Sequence, residues 1–290
     1  WAMGNGQPTK QPFDWLGAGL QAVAIIAGFW GLNLSQTDGF LAPVVIGLLG
    51  VAGVSVVGFF WYEARSQTPL MALEIFHNQI FSLGVLAVFM VFMVQIFTTV
   101  LMPFYLEDAR QLSPGLSGAL LTLYPLMMVF FAPLGGVLAD HMNVASVALV
   151  GALIIAGASV AYLAVGMTSP LWLLILVTMV LGVGSGIFQS PIGDIVMSVV
   201  PQSQLGIAGS FNALARNLGM VAGTSFTTTI LFSKMSGIAG RRIVTFPSAH
   251  PAWFISGMHL AMMIATGLAI IAVVVLWRAV PRWRTFAQKH

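Results

Sequence analysis

The run GVGSGIFQSPIGDIVMSVVPQSQLGIAGSFNALARNLGMVAG, Gly182–Gly223, decides how this chain is read. It lies within a longer apolar stretch, Leu174–Leu231. There a first helix carries Gly182, Gly184, Gly186 and Pro191 and ends at a short polar turn, Pro201–Gln204; a second helix then carries Asn212 and Arg216. A guanidinium inside a hydrophobic segment is expensive unless something pairs with it or uses it. The rest of the chain reads as a membrane framework that holds this helix pair and its neighbours around a cavity.

Composition supports a lipid-facing surface. Of 290 residues, 58% are hydrophobic and 7% charged, with a mean hydropathy of +0.96. Soluble domains carry about 25% charged residues. The net charge of +3 comes from scattered basic residues that form no stripe, so nucleic acid is not expected as a partner. Cysteine is absent, which excludes disulfides and thiolate metal sites. No cleavable signal peptide is visible, and the chain begins at Trp1, a hint that something upstream is missing.

A helix needs about 20 mostly apolar residues to cross roughly 30 Å of hydrocarbon. Eight segments qualify, at 14–34, 41–62, 79–104, 116–138, 144–166, 170–198, 205–232 and 253–279. Their long continuous runs fit helices and not the alternating ten-residue strands of a barrel. Short polar or Pro/Gly turns separate most of them, and only 64–78 and 233–252 are longer. The first two spans are rich in Gly, Ala and Val; Gly47, Gly50 and Gly53 suit close helix packing, and the pair reads as a packing or linker unit.

Eight spans place both termini on one side. Lys10, Arg65, Arg278, Arg282, Arg284 and Lys289 then share the cytoplasmic face, against Arg110, Lys234, Arg241 and Arg242 outside. The basic cluster Arg278–Lys289 abuts the last span as a cytoplasmic anchor would, and Trp253 and Trp277 suit the two interfaces.

The intramembrane polar residues carry open alternatives. Arg216 lies about eleven residues into its helix, roughly 16 Å at 1.5 Å per residue. It either faces the cavity, where it holds an anionic group or shapes a coupling network, or it snorkels to the cytoplasmic face or caps broken backbone carbonyls near Pro191. Asn212 shares its face at i,i+4 spacing, as a substrate contact or a helix-to-helix hydrogen bond. Asp194 is expected to pair with Arg216 across the turn, or to carry a proton. His259 stands in the last span with no second ligand at metal spacing. The glycines of GVGSG follow a membrane helix and lack a lysine, so they do not form a phosphate loop. No Ser/His/Asp or Cys/His set converges, and an enzyme is not expected.

Three stretches resemble the major facilitator superfamily, in particular its fourteen-helix drug/proton antiporter branch. LEIFHNQIFSLGV (Leu73–Val85), with Met102–Glu107 at the end of the same span, is similar to the start of that branch's C-terminal domain. Leu112–Met142 resembles the domain's second helix, with Gly136-x-x-Ala139-Asp140 similar to the Gly-x-x-x-Asp loop motif. His141 stands where arginine is common, and the basic residues that follow in the family are replaced by Asn143, Val144 and Ala145. Gly182–Gly223 resembles the branch's GxGxG…P…P…GxAxG…N…R…G pattern.

The resemblance implies an all-α polytopic fold: a two-helix insert over residues 1–66, then a six-helix transporter domain over 67–290. It also implies that the family's N-terminal six helices, with their proton-coupling acids, would be this chain's partner half. The implied function is secondary active transport, proton-coupled export of small hydrophobic or cationic drugs from a bacterial inner membrane. It needs no cofactor beyond the proton gradient. The third span would line the cavity, which makes Gln95, with Thr98 and Thr99, candidate substrate contacts alongside Tyr124, Phe188 and Gln189. Interhelical hydrogen bonding is the competing role for Gln95. Asp140 and His141 would be a conformational latch or an exposed turn. The 16 methionines suit a pocket that re-packs, or simply meet lipid. The same fold moving another small solute, and a non-transporting membrane scaffold subunit, are the alternatives.

Overall fold

In the computed structural model, residues 15–39, 42–63, 65, 73–243 and 250–287 are described. The expected domain boundary at 66/67, together with Lys10 and Lys289, lies outside them. The described residues form eight α-helices: α1 (Trp15–Asp38), α2 (Pro43–Glu63), α3 (Gln79–Pro103), α4 (Pro114–His141), α5 (Val144–Tyr162), α6 (Leu171–Ser198), α7 (Leu205–Ala239) and α8 (Pro251–Ala287). No strand occurs among them. By length and apolarity, α1, α3, α4, α5, α6 and α8 can each cross a bilayer. The apolar part of α2 is shorter, Pro43–Phe59. In α7, Asn212, Arg216, Lys234 and several threonines dilute the run.

The eight helices coincide with the eight expected segments, and the differences sit at their ends. Pro103 has no N–H to give Thr99, and the chain past it winds into a π-helical turn, Phe104–Ala109, that carries Glu107 and Asp108. The α7 helix runs on to Ala239, well into the expected long connection, and stops where Gly240 takes a left-handed φ of 66°. Cap side chains mark several starts: Asn78 Oδ1 accepts from Ile80 N, Ser113 Oγ from Leu116 N, and Asn143 Oδ1 from Ser146 N.

Helices α3 to α8 make one bundle. The α6 helix packs between α4 and α5, while α3 packs against α7 and α8, and α5 closes onto α8. The most enclosed helices are α3 and α6, and α4 is the least. The α1–α2 hairpin lies against α7, where Ser225 Oγ donates to Leu32 O at 2.7 Å. Close approach is made possible by glycines. A Cβ at Gly182 would stand 2.6 Å from Tyr124 O, and one at Gly186 2.8 Å from Met128 O, both on α4. From the other face of α6, a Cβ at Gly184 would meet Ile155 N of α5 at 2.9 Å. GVGSG is therefore a two-sided helix seam inside an unbroken α6.

The stretch Leu73–Val85 builds one end of the bundle. A 3-10 turn, Leu73–His77, places Phe76 edge-on to Phe81 and Phe211, at centroid distances of 5.3 and 4.7 Å. Ser82 Oγ donates to Phe76 O at 2.8 Å, and Asn78 Nδ2 to Val199 O at 3.3 Å, tying α3 to α7 and to the end of α6.

Candidate functional site

The polar residues of α3, α4, α6 and α7 meet in two groups at mid-bundle. In the first, Gln95 Nε2 donates to Ser185 Oγ at 3.0 Å, and that hydroxyl donates to Leu181 O at 2.7 Å. Gln95 and Ser185 are both buried, and Tyr124 of α4 brings its hydroxyl toward the same Ser185 side chain. Three helices thus converge on one serine at the centre of the glycine seam. Thr98, one turn along from Gln95, is buried, and Thr99 Oγ1 turns back to Gln95 O at 3.2 Å. Gln189 lies one turn beyond Ser185 and is partly exposed.

The second group belongs to α7. The Arg216 guanidinium carbon sits 4.8 Å above the Phe92 ring of α3, a cation–π contact. Its Nε is buried with no hydrogen-bond partner, and the Oδ1 of Asn212, one turn earlier, is likewise buried and unpartnered among the described residues. A donor and an acceptor left open side by side are unusual, because buried polar atoms are nearly always paired. The second group shares α7 with Gly219, whose missing side chain lets that helix lie against Phe89 O of α3.

Asp194 and Arg216 do not pair: no ion pair joins them among the described residues, because Arg216 turns onto Phe92 while Asp194 is exposed near the end of α6. The acid near Asp194 is Asp140, at the end of α4. Gly135 causes this, since a Cβ there would stand 2.9 Å from Ile187 O, so the ends of α4 and α6 close together. Nor does Arg216 cap backbone near Pro191. Phe188 faces away from the polar groups: it is fully buried, with its backbone against Gly151 of α5, where a Cβ would lie 2.6 Å from Phe188 N.

Ser185, Phe92 and a cluster at the opposite end were not foreseen from the sequence. Ser185 was hidden among glycines, although its depth matches Gln95. In the cluster, Tyr105 Oη donates to Gly166 O at 2.7 Å, and Arg110 reaches Tyr105 Oη at 3.0 Å and Ser169 O at 2.7 Å. His259 Nε2 meets Val165 O at 2.7 Å, the structural role expected of a lone histidine. Together these groups clamp the α5–α6 turn. Asp140 and His141 are exposed at the end of α4. No group of three or more potential metal ligands occurs among the described residues.

The sequence pattern of the Major Facilitator Superfamily matches residues 15–224 and, in a second register, 84–287. The chain belongs to this superfamily. It is accordingly an all-α, multi-pass membrane protein of a transporter family. Among relatives, it is 30% identical over 174 residues to the riboflavin transporter RibZ of Clostridioides difficile, covering 60% of this chain and 38% of the relative. It is 25% identical to the tetracenomycin C resistance and export protein of Streptomyces glaucescens, covering 93% of this chain and 57% of the relative. It is 30% identical to the tetracycline resistance determinant of Streptomyces rimosus, covering 79% and 66%. The chain spans about half the length of such relatives.

Proposed function

We propose that this chain is the C-terminal part of a fourteen-helix, proton-coupled exporter of small hydrophobic or cationic drugs. In this reading residues 1–66 are the two-helix insert and 67–290 the six-helix domain, with both ends of the segment on the cytoplasmic side of a bacterial inner membrane. A further six helices supply the other half of the cavity and the proton-carrying acids. Substrate sits near the midplane between the halves, and access alternates as they rock. The proton gradient is the only energy source, and no cofactor takes part.

One observation carries the proposal: the open pair of Asn212 Oδ1 and Arg216 Nε, set beside Phe92 within one bundle half. Unpaired polar atoms at membrane depth are costly, and a substrate group or water that enters when the helices part would satisfy them. Gln95, Tyr124 and Gln189 supply further polar edge, and Thr98 is buried one turn from Gln95. Asp140 and Asp194, two exposed carboxylates at the adjoining ends of α4 and α6, suit a gate that loosens at this end of the bundle better than a closed latch. The tetracenomycin C and tetracycline relatives support export of drugs.

The 30% identity to a riboflavin transporter favours a second reading, the same fold moving another small solute. The test is the complete protein in proteoliposomes carrying an internal pH dye. Drug export predicts drug-stimulated proton flux that falls about tenfold or more in Arg216→Gln, the loss expected when a hydrogen bond to charge worth about 1.5–3 kcal/mol is removed. Flux stimulated by riboflavin-like solutes and not by drugs would favour the second reading. No solute-stimulated flux of either kind would sink both.

A further inference from the structure

We infer that the crevice between the start of α5 and the end of α8 is a binding site for an anionic phospholipid. This crevice encloses about 690 Å³ and is lined by Ser146, Leu149, Trp277, Arg278, Pro281 and Arg282. It is lined by α5 and α8 alone, neither of which contributes to the two mid-bundle polar groups. Arg278 and Arg282 are one turn apart on a single helix face, both exposed, and neither has an ion-pair partner among the described residues. None of the lining side chains is acidic. Two uncompensated guanidiniums in one concave site favour a phosphodiester, which each fork engages through paired hydrogen bonds.

The surroundings select a lipid as the source of that phosphate. Directly along the same faces run Val150 and Leu153 of α5 and Ile270, Ile271 and Val274 of α8, all exposed. This apolar band is where acyl chains lie once the headgroup is held at the crevice. Trp277, 65% exposed, sits between band and crevice, at the depth where tryptophan marks the membrane interface. The first turn of α5 adds its positive dipole end to the guanidiniums. Basic pockets between helices at a membrane face recognise acidic headgroups in this way.

The proposal is independent of what the protein transports, and its test needs no transport. The complete protein in mild detergent is titrated with phosphatidylglycerol and with phosphatidylcholine of the same acyl composition, and bound lipid is read by native mass spectrometry. Phosphatidylglycerol is expected to bind about tenfold more tightly, two basic residues each contributing a few-fold. Arg278→Gln/Arg282→Gln should bring the two lipids level, while Arg278→Lys/Arg282→Lys, which keeps the charge and loses the fork, should keep only part of the preference. Equal binding by the unmodified protein, or an undiminished preference in the double glutamine variant, would overturn the site. Inorganic phosphate that displaces phosphatidylglycerol at millimolar concentration would show a phosphate site that does not need a lipid, and so overturn the lipid assignment. Should the double variant fold poorly, brominated phosphatidylglycerol provides the second measurement. It should quench less of the total tryptophan emission in Trp277→Phe than in the unmodified protein, and equal quenching would count against the site.

Discussion

Gln95, Ser185 and Tyr124 show how a polar group is afforded in an apolar bundle. Gln95 donates to Ser185, Ser185 donates to its own helix backbone, and Tyr124 shares the serine from α4. Gln95→Leu removes the donor and leaves a serine still satisfied by Leu181 O, so its stability cost should be about 1 kcal/mol. A thermal-shift assay in detergent should record a drop of a few degrees, with substrate-stimulated flux lowered further than stability explains. The Asp194–Arg216 pairing leads to a second residue-level expectation. Because Asp194 faces Asp140 and Arg216 faces Phe92, the exchange Asp194→Arg/Arg216→Asp should not rescue either single variant. Measured flux in the exchange variant should equal or fall below that of Arg216→Asp alone; recovery toward the unmodified level would restore the pairing. Sequence spacing suggested the pair because both residues lie near one turn. It could not show which way each side chain points, and a phenylalanine ring on a third helix decided that.

At the scale of the elements, helix positions were legible and helix contacts were not. Apolar runs and their Pro/Gly punctuation place all eight helices, since each span must satisfy its own backbone within lipid. The ends moved where local chemistry acts: Pro103 forces a π-turn, and Gly240 ends α7 well beyond the expected stop. The glycines of α6 were legible as a pattern, yet their division between α4 and α5 emerges only from the bundle. Gly186→Val tests that division. Its added carbon would stand 2.8 Å from Met128 O, and overpacking of this kind costs about 1–3 kcal/mol or more. Gly193→Ala, where nothing lies within 4 Å of the added carbon, should be neutral. Size-exclusion profiles after heating should separate the two variants, Gly186→Val losing its monodisperse peak several degrees earlier.

At the scale of the molecule, the polar groups gather on α3, α4, α6 and α7, while α5 and α8 carry the crevice with the exposed arginines. Polar residues gathered on some helices of a bundle and exposed apolar side chains on others are the form expected for one wall of a transport path. The family was legible from three motifs. The substrate was not, because fold does not fix function and the site atoms are few and generic.

If this bundle lines a transport path, Gln189 of α6 and Asn212 of α7 reach water in the working protein, and single-cysteine labelling decides it. The chain has no cysteine, so the background is clean. In the complete protein in membranes, Gln189→Cys and Asn212→Cys should react with a charged, membrane-impermeant thiol reagent, and bound substrate should slow both reactions. Ile270→Cys, exposed on α8 beside the lipid-facing band, should stay unlabelled. If Gln189→Cys and Asn212→Cys are as inert as Ile270→Cys, those positions are sealed against another surface, and the transport reading of this chain is contradicted.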